Sequence, residues 1–164
     1  MTLGASRTDS MVSAHQNAFS LFTDDFLDVS FIEKLTIALP NDISVVSIQR
    51  TPSDFNIISH SKSKEYRYNF TTSSKFHPFD AHLSTHIKDP LDIKLMKQGA
   101  LLFEGNHSFH NFCYKPKENT TFKRTITTCI IEEKGIDQYS LKVIGTGFLR
   151  HQIRIIMGCL FNLG

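Results

Sequence analysis

Apolar positions along the 164-residue chain fall into short periodic runs separated by small and polar stretches. A Gly/Ser-rich opening from Gly4 to Ser10 reads as a loop, and the stretch from Val12 to Phe22, with Phe19, Leu21 and Phe22, reads as a strand. Ser30 and Glu33 have capping-box spacing, and Phe31, Leu35 and Leu39 recur every four residues until Pro40, which predicts a helix from about 30 to 39. Ile43 to Arg50 alternates with β-branched residues, as a strand does. Lys64 to Phe70 reads as a third strand, with Lys64, Tyr66, Tyr68 and Phe70 on one face and Glu65, Arg67 and Asn69 on the other.

Further along, Asp89 as cap, Pro90 at the first position, Leu91, Leu95 and Leu102 on one side and Gly105 beyond the end predict a second helix. Two strands, Arg124 to Glu132 and Gln138 to Gly145, are expected to be joined by a turn at Glu133-Lys134-Gly135. Gly145-Thr146-Gly147 then leads into an amphipathic helix striped by Ile153, Ile156 and Leu160, with Arg150 and Arg154 one turn apart on a shared side. Strands and helices alternate in two portions, which hints at two related halves.

Composition narrows the class. With 40% hydrophobic and 21% charged residues the chain fits one globular domain or two closely packed halves. No stretch reaches the roughly 18 apolar residues of a membrane span, and the first residues lack a signal-peptide pattern; a cytoplasmic protein is expected. Three separated cysteines, Cys113, Cys129 and Cys159, indicate neither a disulfide framework nor a cysteine zinc site. Net charge is only +2, but its distribution is uneven. Acidic residues gather at Asp24, Asp25, Asp28 and Glu33, and basic ones in three segments around Lys62 to Arg67, Lys115 to Arg124 and Lys142 to Arg154. If those segments converge, they offer a surface to a phosphate backbone.

Taken alone, Arg7-Thr8-Asp9 is a weak signal, since a solvated loop carboxylate is the ordinary outcome. His107, His110 and Cys113 are spaced so that a helix could point them one way, but zinc needs a fourth ligand or a supported water, and no metal is expected. For Tyr66 and Tyr68, strand packing is the default, and for Arg154 a surface helix position.

Four segments in order change that weighting: Gly4-x-x-Arg7-Thr8-Asp9, Lys64-x-Tyr66-x-Tyr68, Phe103-Glu104-Gly105-x-His107-x-Phe109-x-x-Phe112, and Gly147-Phe148-Leu149-Arg150-His151-Gln152-Ile153-Arg154-x-x-x-Gly158. Together with Arg124-Thr125-Ile126 they resemble the TruA family of tRNA pseudouridine synthases across essentially the whole chain. The resemblance implies an α+β fold with a mixed, mainly antiparallel sheet, flanking helices and two related halves around an active-site cleft, here residues 1–70 and 71–164. It implies tRNA as partner, a homodimer, no cofactor, and conversion of uridine to pseudouridine, with the anticodon stem-loop as the expected region.

By the same resemblance Asp9 is the catalytic carboxylate, attacking C6 of the base or C1′ of the ribose, or acting as a base in glycal formation. The chemistry is consistent with this, because the base must leave the stack, its glycosidic bond must break and a C–C bond must form. Arg154 is its implied cationic partner, which would keep a partly desolvated carboxylate ionised. Tyr66 is the implied stacking residue, with Tyr68 beside it and Arg7 helping to hold the flipped nucleotide, while Lys64, Arg67, Arg124 and Arg150 are candidates for the RNA backbone. Two features depart from the family pattern. Met11 stands where glycine is usual, which bears on loop geometry. Family members also have a strand and helix before the Asp loop and further elements beyond Gly158, so the chain is expected to be partial, with a non-catalytic RNA-binding remnant as the alternative.

Overall fold

The computed structural model describes residues 1–24, 27–75 and 77–164; Asp25 of the acidic group lies outside the described residues. Two compact units divide the chain, residues 1–61 and 62–164.

In the first unit β1 (Thr2–Gly4) pairs antiparallel with β2 (Phe19–Leu21), Leu3 opposite Ser20. The strand expected over Val12 to Phe22 is confined to its last part. Its partner is only three residues long, and just before it the Asn17 side chain takes the Ala18 N–H at 2.9 Å, a local bond that competes with a ladder. Helix α1 (Val29–Ala38) lies within a residue of its expected span, but its cap is Asp28, not Ser30. The Asp28 carboxylate accepts from the Phe31 N–H at 3.1 Å and from the Ser30 hydroxyl at 2.7 Å, so the serine supports the cap from inside the helix. Residues 43–50 form no strand despite their alternation, and Ile43, Val46 and Ile48 are exposed. Periodicity supplies a face; a strand also needs a ladder.

The second unit is a five-stranded sheet in the order β4-β3-β7-β6-β5, from β3 (Lys64–Thr71), β4 (Thr85–His86), β5 (Gly105–Ser108), β6 (Lys123–Gly135) and β7 (Gln138–Gly145). Only β3 with β4 is parallel, so the sheet is mixed and mainly antiparallel, as expected. Cross-strand register places Tyr66, Tyr68 and Phe70 beside Val143, Leu141 and Tyr139, and beyond them Cys129 and Ile131. This face is covered by α2 (Ile93–Leu101) and α3 (Gln152–Leu163), which supply Met96, Ala100, Ile156, Met157 and Leu160 to one core with Phe70, Leu141 and Val143. The apolar surface so buried is the main stabilising term of the unit.

The opposite face is ionic. Arg67 bridges Glu65 and Glu132, each at 2.7 Å, and Lys134 and Lys142 complete the network. Two donated hydrogen bonds, from Lys134 and Arg67, hold the Glu132 carboxyl down at about 2.

Three local expectations are corrected here. Helix α2 is capped by Asp92, whose carboxylate accepts the Leu95 N–H at 2.9 Å, three residues beyond the predicted Asp89. It buries Met96, Gly99 and Ala100, while Leu95 and Leu102 are exposed. A Cβ at Gly99 would run into Leu163 of α3, so smallness selects the packed face, and small residues carry little weight in a hydrophobic pattern. The β6–β7 turn is Ile136-Asp137, because Gly135 still pairs with Gln138; Asp137 takes the left-handed conformation (φ 56°) that such turns favour. Finally, Arg150 precedes α3. His151 is left-handed (φ 59°) at the helix entry, so Arg150 and Arg154 are not one turn apart on a helix.

Candidate functional site

In the first unit, Arg7, Thr8 and Asp9 form an exposed segment after β1, and the ribbon below is extended by the Ala5 N–H donating to the Ala18 carbonyl at 2.8 Å. The Asp9 carbonyl accepts from the Val12 N–H at 3.3 Å, closing a four-residue turn with Ser10 and Met11 at its centre. Met11 has φ 62°. A left-handed residue at that position defines a type II turn, which ordinarily selects glycine. The chain therefore holds the backbone a glycine would adopt freely, with the methionine side chain 86% exposed, at a cost of about 1 kcal/mol or more. Arg7 and Asp9 thus share one loop whose course is set by this turn.

In the second unit the candidate residues sort by strand face. Tyr66 projects on the helix-bearing face, half-buried, with its ring edge-on to Phe148 at 5.2 Å and 86°. That edge contact holds the ring in one attitude. Phe148 has room because residue 145 is glycine: a Cβ there would lie 2.7 Å from the Thr125 carbonyl oxygen and 3.0 Å from Phe148 Cζ. Gly145 pairs with Lys64, so the glycine, Lys64, Tyr66 and Phe148 are built by one end of the β3–β7 ladder. Phe148 was not singled out in sequence as more than a motif letter; Gly-x-Gly-Phe beside a strand end is the signal that could have found it.

Tyr68 faces the same way, but its hydroxyl accepts from Thr85 at 3.0 Å and its ring packs edge-on against Phe161. Arg67 faces the other side, in the ionic network, whose Glu132 hydrogen bond raises its own pKa. Arg124 turns its guanidinium onto the carbonyls of Thr121 and Lys123 at 2.7 and 2.6 Å. Arg154 is exposed in the first turn of α3. Arg150, just outside that helix, lies over the Tyr114 ring, 5.3 Å from its centroid.

The Phe103-Glu104-Gly105 segment is structural. The Glu104 carboxylate accepts the Cys129 N–H at 2.8 Å, where β6 runs on past the end of β5, and so satisfies an open strand edge. Burial, reinforced by Glu104, pushes the Cys129 thiol up to about 12, which makes it inert. His107 lies in β5 with Nε2 2.6 Å from the Glu104 carbonyl, and His110 packs edge-on to Phe122 in a short 3-10 turn (His110–Phe112). The segment carrying these histidines and Cys113 is no continuous helix, so the premise of a shared ligand direction is lost. Among the described residues no group of three His, Cys, Asp or Glu side chains is placed to hold a metal ion, and no helix is long and apolar enough to cross a membrane.

Comparison with known proteins agrees with the motif reading. The family model of tRNA pseudouridine synthase matches residues 100–164. The chain is 32% identical over 164 residues to tRNA pseudouridine synthase A 2 of Bacillus cereus (strain ATCC 10987), covering 99% of this chain and 66% of that protein. It is 35% identical over 130 residues to tRNA pseudouridine synthase A of Halalkalibacterium halodurans, covering 79% of this chain and 49% of that protein. A synthase A of Listeria innocua is 31% identical over 161 residues, 96% of this chain and 64% of its own length. The chain thus spans no more than 66% of these relatives.

Proposed function

Because the chain belongs to the tRNA pseudouridine synthase family, we propose that it isomerises uridine to pseudouridine in tRNA, with Asp9 as the catalytic carboxylate and the anticodon stem-loop as the region modified. One observation carries the reading: a single alignment, to a relative named tRNA pseudouridine synthase A 2, spans 99% of the chain, from the Asp9 loop to the Arg154 helix.

The reaction moves one bond. N1–C1′ of the nucleoside breaks, C5–C1′ forms, the proton on C5 leaves to solvent and N1 gains one. No electrons are exchanged, so the steps need a carboxylate, a means of holding the rotated uracil and exclusion of water. Asp9 attacks the base at C6 or the ribose at C1′, or removes a proton on the glycal route. Arg154 supplies the permanent positive charge that keeps a desolvated carboxylate ionised. Tyr66, braced by Phe148, offers its ring to the extruded base. Arg7 holds the nucleotide from the Asp9 loop. Lys64 and Arg150 are the primary contacts to the RNA backbone; Arg67 and Arg124, whose guanidinium groups are engaged within the protein, contribute charge without directed contact. A homodimer acting in the cytoplasm completes the proposal.

A second reading, an RNA-binding chain without turnover, is favoured by one observation: Ile57 is the only buried core residue among the described residues of the first unit, which carries Asp9. Mapping pseudouridine in the tRNAs of cells lacking the gene tests the proposal. Loss of modification at one or more anticodon stem-loop positions is expected; unchanged modification would favour the second reading, and restoration by an Asp9→Ala gene copy would remove this carboxylate from the catalytic role.

A further inference from the structure

At the entry of α3, away from the ionic face of the sheet, the rings of Tyr114 and His151 stack with centroids 4.8 Å apart and planes 9° from parallel. Two cations converge on the same tyrosine: Lys115 Nζ lies 5.2 Å from its centroid and the Arg150 guanidinium 5.3 Å. The Tyr114 N–H donates to the Arg150 carbonyl at 3.0 Å, which pins the two chain segments together. Both cations are exposed, and among the described residues no ion pair with a carboxylate involves either.

Holding two like charges against one ring is unfavourable in isolation, because each cation–π contact offsets only part of their repulsion. The backbone adds to the cost. Lys115 (φ 45°) and His151 (φ 59°) are two of the four non-glycine residues with positive φ among the described residues, and such strain collects where a surface is shaped for a ligand. His151 also enters α3 without a side-chain cap on the helix N-terminus. A stacked, strained platform carrying converging positive charge beside an uncapped helix start is complementary to a phosphate group.

We infer that Tyr114, Lys115, Arg150 and His151 form a phosphodiester-binding site for the backbone of the tRNA strand, a contact specified by charge and shape and not by base identity. This rests on the tRNA reading above and extends it to a site that includes Lys115 and the Tyr114–His151 stack. Lys115 and Arg150 take the phosphate oxygens, and the stack fixes where the two cations stand.

The test is the salt dependence of tRNA binding by the full chain. Lys115→Gln and Arg150→Gln should each reduce the slope of log affinity against log salt by about 0.7 to 0.9, and the double variant by about twice that. Tyr114→Leu, which removes the ring but no charge, should weaken binding several-fold. Lys134→Gln, altered in the ionic network of the sheet, should leave the slope unchanged. Unfolding curves matching the parent establish that the exposed substitutions leave the fold intact. An unchanged slope in the double variant, or absence of tRNA binding by the parent chain at low salt, overturns the inference. Pseudouridine formation measured on the same preparations keeps the two proposals apart. A lowered slope without isomerisation by the parent chain removes the catalytic reading and leaves the phosphate site, and isomerisation with an unchanged slope does the reverse.

Discussion

The two units of the chain hold their proposed site residues in opposite ways. In residues 62–164 a five-stranded sheet and two helices enclose a continuous core, and Tyr66 stands on a strand, braced edge-on by Phe148. In residues 1–61 a three-residue ribbon and one helix leave Phe19, Leu21, Phe22 and Ile37 exposed, and Asp9 stands on a loop shaped by a left-handed methionine. Tyr66 is positioned by packing, Asp9 by local backbone geometry. Position by packing is robust to surface change and sensitive to volume; position by a turn is the reverse.

The largest expected effect lies in the packed unit. Leu160→Ala, at a fully buried position of α3, should cost about 2–5 kcal/mol in denaturant unfolding. Ile57→Ala in the first unit should cost clearly less, because no other described residue of that unit is a buried hydrophobic one and Ile57 is not part of a continuous core; equal losses would break the contrast. Next comes Gly145→Ala, whose Cβ would meet a backbone carbonyl at 2.7 Å and the Phe148 ring at 3.0 Å. About 1–3 kcal/mol of stability should be lost, and because Phe148 must move, turnover should fall further than binding to tRNA. Turnover unaffected by the alanine would show that the brace does not set the attitude of Tyr66.

How much of this was legible in sequence follows the same division. Strand β3 and its two faces were readable residue by residue, because alternation and burial coincide there; so were β7 and the stripe of α3, whereas β6 was readable only to Glu132, its last three residues having the composition of a turn. The packed face of α2 was not, since it is made by Gly99 and Ala100, whose contribution is absence of volume. In the first unit, Ile43 to Arg50 has a strand's pattern without a strand's partner, and pattern alone cannot supply one. Asp9, Tyr66 and Arg154 were named through motif order and Lys115 as part of a basic segment, whereas Phe148 and Tyr114 depend on ring contacts between segments distant in sequence and had no periodic signature.

Smaller effects sharpen the contrast. Met11→Gly should stabilise by up to about 1 kcal/mol by removing left-handed strain, measured as a shift in unfolding midpoint; destabilisation would mean that the methionine side chain makes a packing contribution. The smallest effect is electrostatic. The Glu132 carboxyl is held at about 2, below its ordinary value, so its contribution is complete above the unfolded carboxylate range and is lost as pH falls from there toward 2. Glu132→Gln should remove that part of the acid dependence by lowering stability near neutral pH by about 1 kcal/mol or less, as for a solvent-accessible network, with the variant and parent curves converging as pH falls toward 2.

The central claim, that Asp9 is the catalytic carboxylate, is tested most directly by release of tritium from tRNA labelled at uracil C5, because that proton must leave when the C5–C1′ bond forms. The full chain should release tritium, and Asp9→Ala and Asp9→Asn should reduce release to background while tRNA retention on a filter persists. Release by either variant at the rate of the parent chain would contradict the account.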